Sequence, residues 1–311
     1  MTILIRIVVA FIAAAAGLII IVKLGGLERR AKADTARVLA LPSVSFHASG
    51  MSGRGAGFHE NGWIVMPFAA PGTPVTEEDI EALPEPARRY FRYAKVLGKP
   101  RISSFAVVLE GRIRNGPGKP WMPLTMRQFN RLDNPARVVL LTSTKPPING
   151  IDSYLDGQGR MLIKAVNTIK IVDDRSPEMS VSALVTFLND LVLCPLGYFS
   201  LPLRLRQAGP DSVELAMTHA GMAVSAVMTM DADGRPVDWR TDDRYAGVNG
   251  RNIKDRWSTP FQGSREAAGL RIPEKGSGIH CYDGNPYIYV ELDRIHSLTL
   301  DANGLPPRPG T

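Results

Sequence analysis

The sequence predicts a mainly β fold, a strongly curved antiparallel sheet or incomplete barrel with one mid-chain helix against its concave face. Three observations predict it. From residue 102 onward apolar residues recur with a period of two, as in Phe105, Val107 and Leu109 against Val108, Glu110 and Arg112, the signature of strands. The chain spends 29 glycines and 24 prolines in 311 residues, which asks for many turns. Within that β-patterned stretch helical spacing returns at one place, in Val181, Leu184, Val185, Leu188, Leu191 and Val192, and Pro195 ends it. No βαβ alternation occurs, so a doubly wound nucleotide-binding fold is excluded.

Taken in order, the chain opens with "ILIRIVVAFIAAAAGLIIIVKL", whose only charges are Arg6 and Lys23. Residues 1–24 read as an uncleaved, single-pass transmembrane anchor, with Arg6 reaching back to the headgroups to complete the roughly 20 residues a span needs. This predicts a bacterial inner-membrane protein. Lys23, Arg29, Arg30 and Lys32 follow the run, and the positive-inside count leans toward a cytoplasmic domain without settling the side. Residues 25–75 read as a linker arm rich in Gly and Ser, with a strand within "GWIVMPF". Residues 76–300 form one β-rich domain. It begins with two short helices, the first capped by Thr76 with Asp79 three residues on, the second opening at Pro86. Strands are expected at 121–131, 136–144, 151–156, 160–172, 212–219, 222–230, 236–246, 252–265, 270–281 and 287–298. The tail 301–311 is expected to be flexible.

Charge is unevenly spread. Between Arg88 and Arg137 twelve basic residues face only Glu110 and Asp133, an excess of ten against a whole-chain net of +7. Such a block fits an anionic membrane surface, and beside a membrane span it argues against nucleic acid as the partner. In the second short helix Arg88, Arg89 and Arg92 lie off the face shared by Ala87, Tyr90, Phe91 and Ala94, which makes them candidate headgroup-binding residues.

"GRIRNGPGKPWMP" has the glycines and lysine of a phosphate loop, but Pro120 follows Gly118-Lys119, Ile113 stands where the first glycine is needed, and strand follows instead of helix. It reads as a hairpin loop. No metal-ligand spacing and no catalytic elbow is present, and adjacent His280-Cys281 point to opposite faces of a strand. No cofactor or metal is expected. Cys194 and Cys281 are left open as pair or free thiols. Met222 and Met228 on one strand, with Val224 between them and Leu188 and Leu191 from the helix, are the candidate lining of an apolar cavity, since thioethers adapt to variable acyl chains.

Six ordered pieces, "LPEPARRYFRYA", "GPGKPWMP", "DSYLDGQGRML", "LNDLVLCP", "MDADGRPVDWRTDDRY" and "PYIYVELDRI", resemble a family of uncharacterised bacterial membrane-anchored β-rich proteins over roughly residues 83–298. Where similar proteins carry Arg and Glu in the mid-chain helix, this sequence has Thr186 and Asp190. In outline the resemblance implies an unclosed barrel similar to the lipoprotein carriers of the LolA type, which bind acyl chains beneath a helix.

Two readings follow. The first is a membrane-anchored module that binds a lipid or other hydrophobic small molecule in a β-sheet cavity. The second is an enzyme with a dispersed carboxylate and tyrosine site, drawn from Asp152, Tyr154, Asp190 and Asp242, with a non-catalytic envelope scaffold behind both. An apolar interior favours the first, and a buried carboxylate cluster the second.

Overall fold

The computed structural model describes residues 26–43, 62–248, 251–282 and 284–309. The expected anchor at 1–24 lies outside these residues, as does most of the glycine-rich arm. Among the described residues no helix is long and apolar enough to cross a membrane.

Helix α1 covers 26–40, β1 is Ile64–Val65, α2 is Glu77–Glu81 and α3 is Glu85–Tyr93. A six-strand meander follows: β2 (Ser104–Ile113), β3 (Met122–Arg131), β4 (Ala136–Thr142), β5 (Ile148–Leu155), β6 (Gln158–Ala165) and β7 (Ile169–Asp174). Then come α4 (Pro177–Asp190) and two 3-10 turns, Leu191–Leu193 and Pro195–Ser200. The second half is β8 (Arg204–Gly209), β9 (Ser212–His219), β10 (Met222–Met230), β11 (Pro236–Val248), β12 (Arg251–Ser258), β13 (Phe261–Gln262), β14 (Arg265–Ala267), β15 (Leu270–Ile272), β16 (Lys275–Tyr282) and β17 (Asn285–Leu300).

The strands make one curled antiparallel sheet in the order β1-β8-β9-β10-β11-β12-β16-β17-β2-β3-β4-β5-β6-β7, with β13 beside β16 and a separate β14-β15 ribbon. The last long strand, β17, pairs with the first, β2, from Val290↔Ile113 to Leu300↔Phe105, which joins the two meanders. The ends β1 and β7 do not pair, so the barrel stays unclosed. Across its open side α4 packs on β5 and β6 from one meander and on β10 and β11 from the other. Ser176 caps α4 by accepting from Met179 N. The helix seats closely because residue 159 of β6 is glycine: a Cβ there would stand 2.4 Å from the carbonyl oxygen of Met179.

Most expected elements form, and "GPGKP" is the β2–β3 connection. The capping box of α2 is present, Thr76 Oγ1 accepting from Asp79 N and Asp79 accepting from Thr76 N. Four differences have physical causes. The strand expected over 160–172 is two, because Val166 and Asn167 adopt positive φ and turn the chain back. The strands expected at 252–265 and 270–281 break into β12 to β16, with positive φ at Gly263, Ala268 and Gly269 turning the chain between the short pieces. The described part of the 25–75 stretch carries α1, whose Leu27, Ala31 and Val38 are buried against Ala106, Phe129, Val138 and Ile151 on the convex face. The start of the 301–311 tail is docked there too, with Ala302 buried and Asp301 N donating to Ser104 O at 2.8 Å. The sheet therefore has a core on both faces, which is why β2 begins with six buried residues instead of alternating.

Charged side chains fasten α1 to this outer face. Glu28 accepts from Arg127 at 3.0 Å and from Arg308 at 2.7 Å, and Arg131 donates to the carbonyls of Val38 and Leu41 at the helix end. The Arg308 contact above all, with Arg127, holds the Glu28 carboxyl down at about 2. A depressed carboxyl contributes its stability above its ordinary value of 4.5 and loses it as pH falls toward 2. We therefore expect wild type to lose about 1 kcal/mol more than Glu28→Gln between pH 5 and pH 2, after screening by solvent. Urea unfolding of both proteins across that range checks it.

Candidate functional site

The concave face holds the main core. Ala183, Leu184, Val185, Phe187 and Leu188 of α4 are sealed against Tyr154, Leu205, Leu215, Val224, Ala226, Met228 and Trp239. The five candidate lining residues are brought together here, but as packing: Leu188 and Leu191 are 0% exposed, Met228 1%, Val224 3%, and Met222 rests half-buried on the same cluster. Where a hollow shell was expected, α4 and the segment after it fill the space.

Arg88, Arg89 and Arg92 are also committed. Arg88 lies 3.8 Å from Glu81, Arg89 is held by Glu85 and Asp211, and Arg92 by Glu77 and Glu81. The wider basic block is balanced in the same way by remote carboxylates, Arg101 by Asp79, Arg127 by Glu28 and Arg112 by Glu291. Folding spends much of the charge that the linear count assigns to headgroups.

Beneath the C-terminal half of α4 the interior changes from apolar to charged. Asp152 of β5 and Asp190 at the end of α4, both proposed from sequence, converge on Arg137 of β4. Arg137 donates to Asp152 Oδ2 at 2.5 Å and to Asp190 Oδ2 at 2.6 Å, and Gln128 of β3 donates to the same Asp190 oxygen. Burial opposes the charge on Arg137, but the two carboxylates outweigh it and its pKa is raised. For Asp190 burial wins, and its carboxyl is pushed up despite Arg137. The other two residues of the set lie elsewhere. Tyr154 bonds His219 Nδ1 at 2.7 Å, and Asp242 is an exposed partner of Arg256. Cys194 and Cys281 are free thiols.

Facing this triad stand residues that the sequence reading does not single out as a site. Arg244 of β11 donates through Nη1 to Thr186 Oγ1 and, at 3.4 Å, to Ser182 O of α4, while its Cζ lies 4.2 Å from the centre of the Trp257 ring. Trp257 can lie flat against β16 because residue 278 is glycine; a Cβ there would be 2.4 Å from the indole. Its Nε1 donates to Thr259, which donates to Asn189 of α4. Next to it His280 Nδ1 meets Asp255 Oδ2, and Cys281 N donates to the other oxygen at 2.9 Å. The adjacent residues His280 and Cys281 do point apart, and the partner of the histidine is on the neighbouring strand. Burial lowers the His280 pKa despite Asp255, so the imidazole is neutral at pH 7. Tyr287 stacks on it at 5.6 Å, and Tyr289 meets it edge-on at 5.1 Å. The legible signal for these residues is parity: a charged side chain at an inward position of a strand.

Apolar side chains continue the wall. Met126 of β3 and Tyr289, Val290 and Leu292 of β17 face the interior yet stay partly exposed where most of their neighbours are sealed. Leu292, Ile295, Phe261, Thr259, Asn189 and Asp190 line a cavity of about 60 Å³ at the end of α4. Among the described residues no group of His, Cys, Asp and Glu is arranged to hold a metal ion.

No curated protein matches the chain. Among solved structures it is similar to a LolA superfamily protein from Nitrosomonas europaea, at 12% identity and a TM-score of 0.37, over 73% of this chain and 94% of that one. It is also similar to a DUF1329 family protein from Desulfovibrio piger, at 10% identity and a TM-score of 0.33, over 64% of this chain and 85% of that one. Residues 73–292, which carry the whole sheet from β2 through β16 and the charged belt under α4, match the family of unknown function DUF6544, and the chain belongs to that family.

Proposed function

We propose that this is a membrane-tethered, non-catalytic module that binds a lipid or other hydrophobic small molecule on the concave face, beneath the C-terminal half of α4. The observation that carries the reading is the row Met126, Tyr289, Val290 and Leu292, apolar side chains turned inward but left partly open to solvent. Burying such surface gains about 25 cal/mol per Å². The adjoining cavity of about 60 Å³ is far below the 300–1,000 Å³ typical of ligand pockets. Binding therefore requires the end of α4 to shift outward, in keeping with the polar contacts from Thr186, Asn189 and Asp190 that hold it. Tethering rests on the apolar run Ile7–Val22 with Arg6 and Lys23 at its ends.

Full-length protein is expected to bind Nile red, a neutral dye, with displacement by dodecanol, and Leu292→Asp is expected to lose at least tenfold in affinity for both. Unchanged binding in Leu292→Asp puts the site elsewhere, and no binding by wild type ends the proposal. One observation favours a catalytic alternative: Asp255 orients a neutral His280, as a general base requires. Among the described residues no serine, threonine or cysteine side chain hydrogen-bonds that imidazole, so the binding reading stands first.

A further inference from the structure

We propose that Arg244 is the receptor for an oxyanion, so that the molecule held under α4 is an amphiphile ending in a carboxylate or a phosphate. The inference rests on the binding reading above and narrows it to a chemical class.

The case starts from a contrast among arginines. Arg101, Arg127, Arg131 and Arg137 are buried, and each has a carboxylate partner, in Asp79, Glu28, Asp133 and the Asp152–Asp190 pair. That is the general rule for cations removed from water. Arg244 is half-buried, against α4 and the Trp257 ring, and among the described residues it has no ion pair. Its Nη1 is used by Thr186 and Ser182. Its Nε is buried with no hydrogen-bond partner, and Nη2 makes no hydrogen bond among the described residues. Nε and Nη2 together form the edge of a guanidinium that meets both oxygens of a carboxylate or phosphate side-on.

Neighbouring acids are occupied. Asp255 is taken by His280 and by Cys281 N, Asp243 by Ser225 and Lys254, and Asp242 by Arg256. Asp152 is near enough to favour the Arg244 charge, but its Oδ2 is bonded to Arg137, whose own charge opposes that effect. Asp255 also favours the Arg244 charge, yet neither carboxylate bonds the guanidinium, so its Nε–Nη2 edge has no oxyanion partner among the described residues. The apolar companion that an amphiphile needs is adjacent: Trp257 touches both Arg244 and Tyr289, and Tyr289 continues into Val290 and Leu292. Thr186 stands on α4 within reach of the guanidinium, so the same helix that must shift for binding also fixes the receptor's orientation.

The test is isothermal titration of full-length protein in a nonionic detergent with dodecanoate, dodecyl phosphate and dodecanol, which share a chain and differ in head. At least one anionic probe is expected to bind about 10- to 100-fold more tightly than dodecanol, the size of a charge-assisted bidentate contact. The better anion tells a carboxylate ligand from a phosphate one. Arg244→Gln is expected to bring the anionic probes to the dodecanol level with dodecanol itself unchanged, and Arg244→Lys to keep part of the preference. Equal binding of all three probes by wild type overturns the oxyanion receptor while the hydrophobic site survives. A preference that persists in a folded Arg244→Gln protein overturns it as well. Binding of none of them removes both.

Discussion

Replacing Arg137 by methionine is expected to destabilise the protein by about 3–5 kcal/mol, because it leaves Asp152 and Asp190 inside the sheet without the cation that bonds them both. The loss has two signatures that a simple packing defect lacks. First, adding Asp152→Asn and Asp190→Asn to Arg137→Met is expected to recover most of it, since what costs energy is an uncompensated buried charge and not a missing bond. Second, the loss is expected to shrink at acid pH. The Asp190 carboxyl is already raised above its ordinary 3.8 by burial. A group whose pKa is higher in the folded than in the unfolded state holds its proton better when folded, so stability falls as pH rises past the ordinary value. Removing Arg137 extends that fall to higher pH. Denaturant melts of wild type, Arg137→Met and the triple variant between pH 4 and pH 8 check both points, and a triple variant no more stable than Arg137→Met refutes the account.

The second large effect separates a roof from a core. Phe187 lies in the C-terminal half of α4 and is 0% exposed. Phe187→Ala is expected to cost about 3–5 kcal/mol, the usual result of emptying a sealed aromatic site, and to lower the melting temperature by about 10 °C for a chain of this size. A helix resting over an open cavity would lose far less. A drop of only a degree or two contradicts the filled interior described here, and the helix then serves as a loose cover.

How much of this was readable in the residues follows from the range of the interactions concerned. Local signals carried well: Thr76 with Asp79 caps α2, the spacing from Val181 to Leu188 marks the mid-chain helix, and the glycines and prolines of "GPGKP" turn β2 into β3. The curl of the sheet was legible too, because period-two patterning with a lone helix leaves few alternatives. Sequence periodicity could not tell a hollow from a filled concave face, since the same leucines and methionines line a cavity or close it. Charge was the least legible. Arg88, Arg89, Arg92 and Arg101 look like a free basic block only because Glu77, Glu81, Asp79 and Asp211 return to them through folding. Asp255 and His280 are 25 residues apart and meet because β12 pairs with β16. Helix α1 was within reach, since Leu27, Ala31 and Val38 share a face, but the glycine-rich sequence that follows reads as an arm.

The fastening of α1 sets the leash length of the molecule. The expected anchor, 1–24, ends at Leu24 and the helix is under way at Gly26, with Leu27 already inside the folded body. On the proposed tethering one residue, about 3.5 Å of chain, separates bilayer from domain. A protein so tethered would not ferry cargo across a compartment; a ligand would have to come to the bilayer surface, or leave from it.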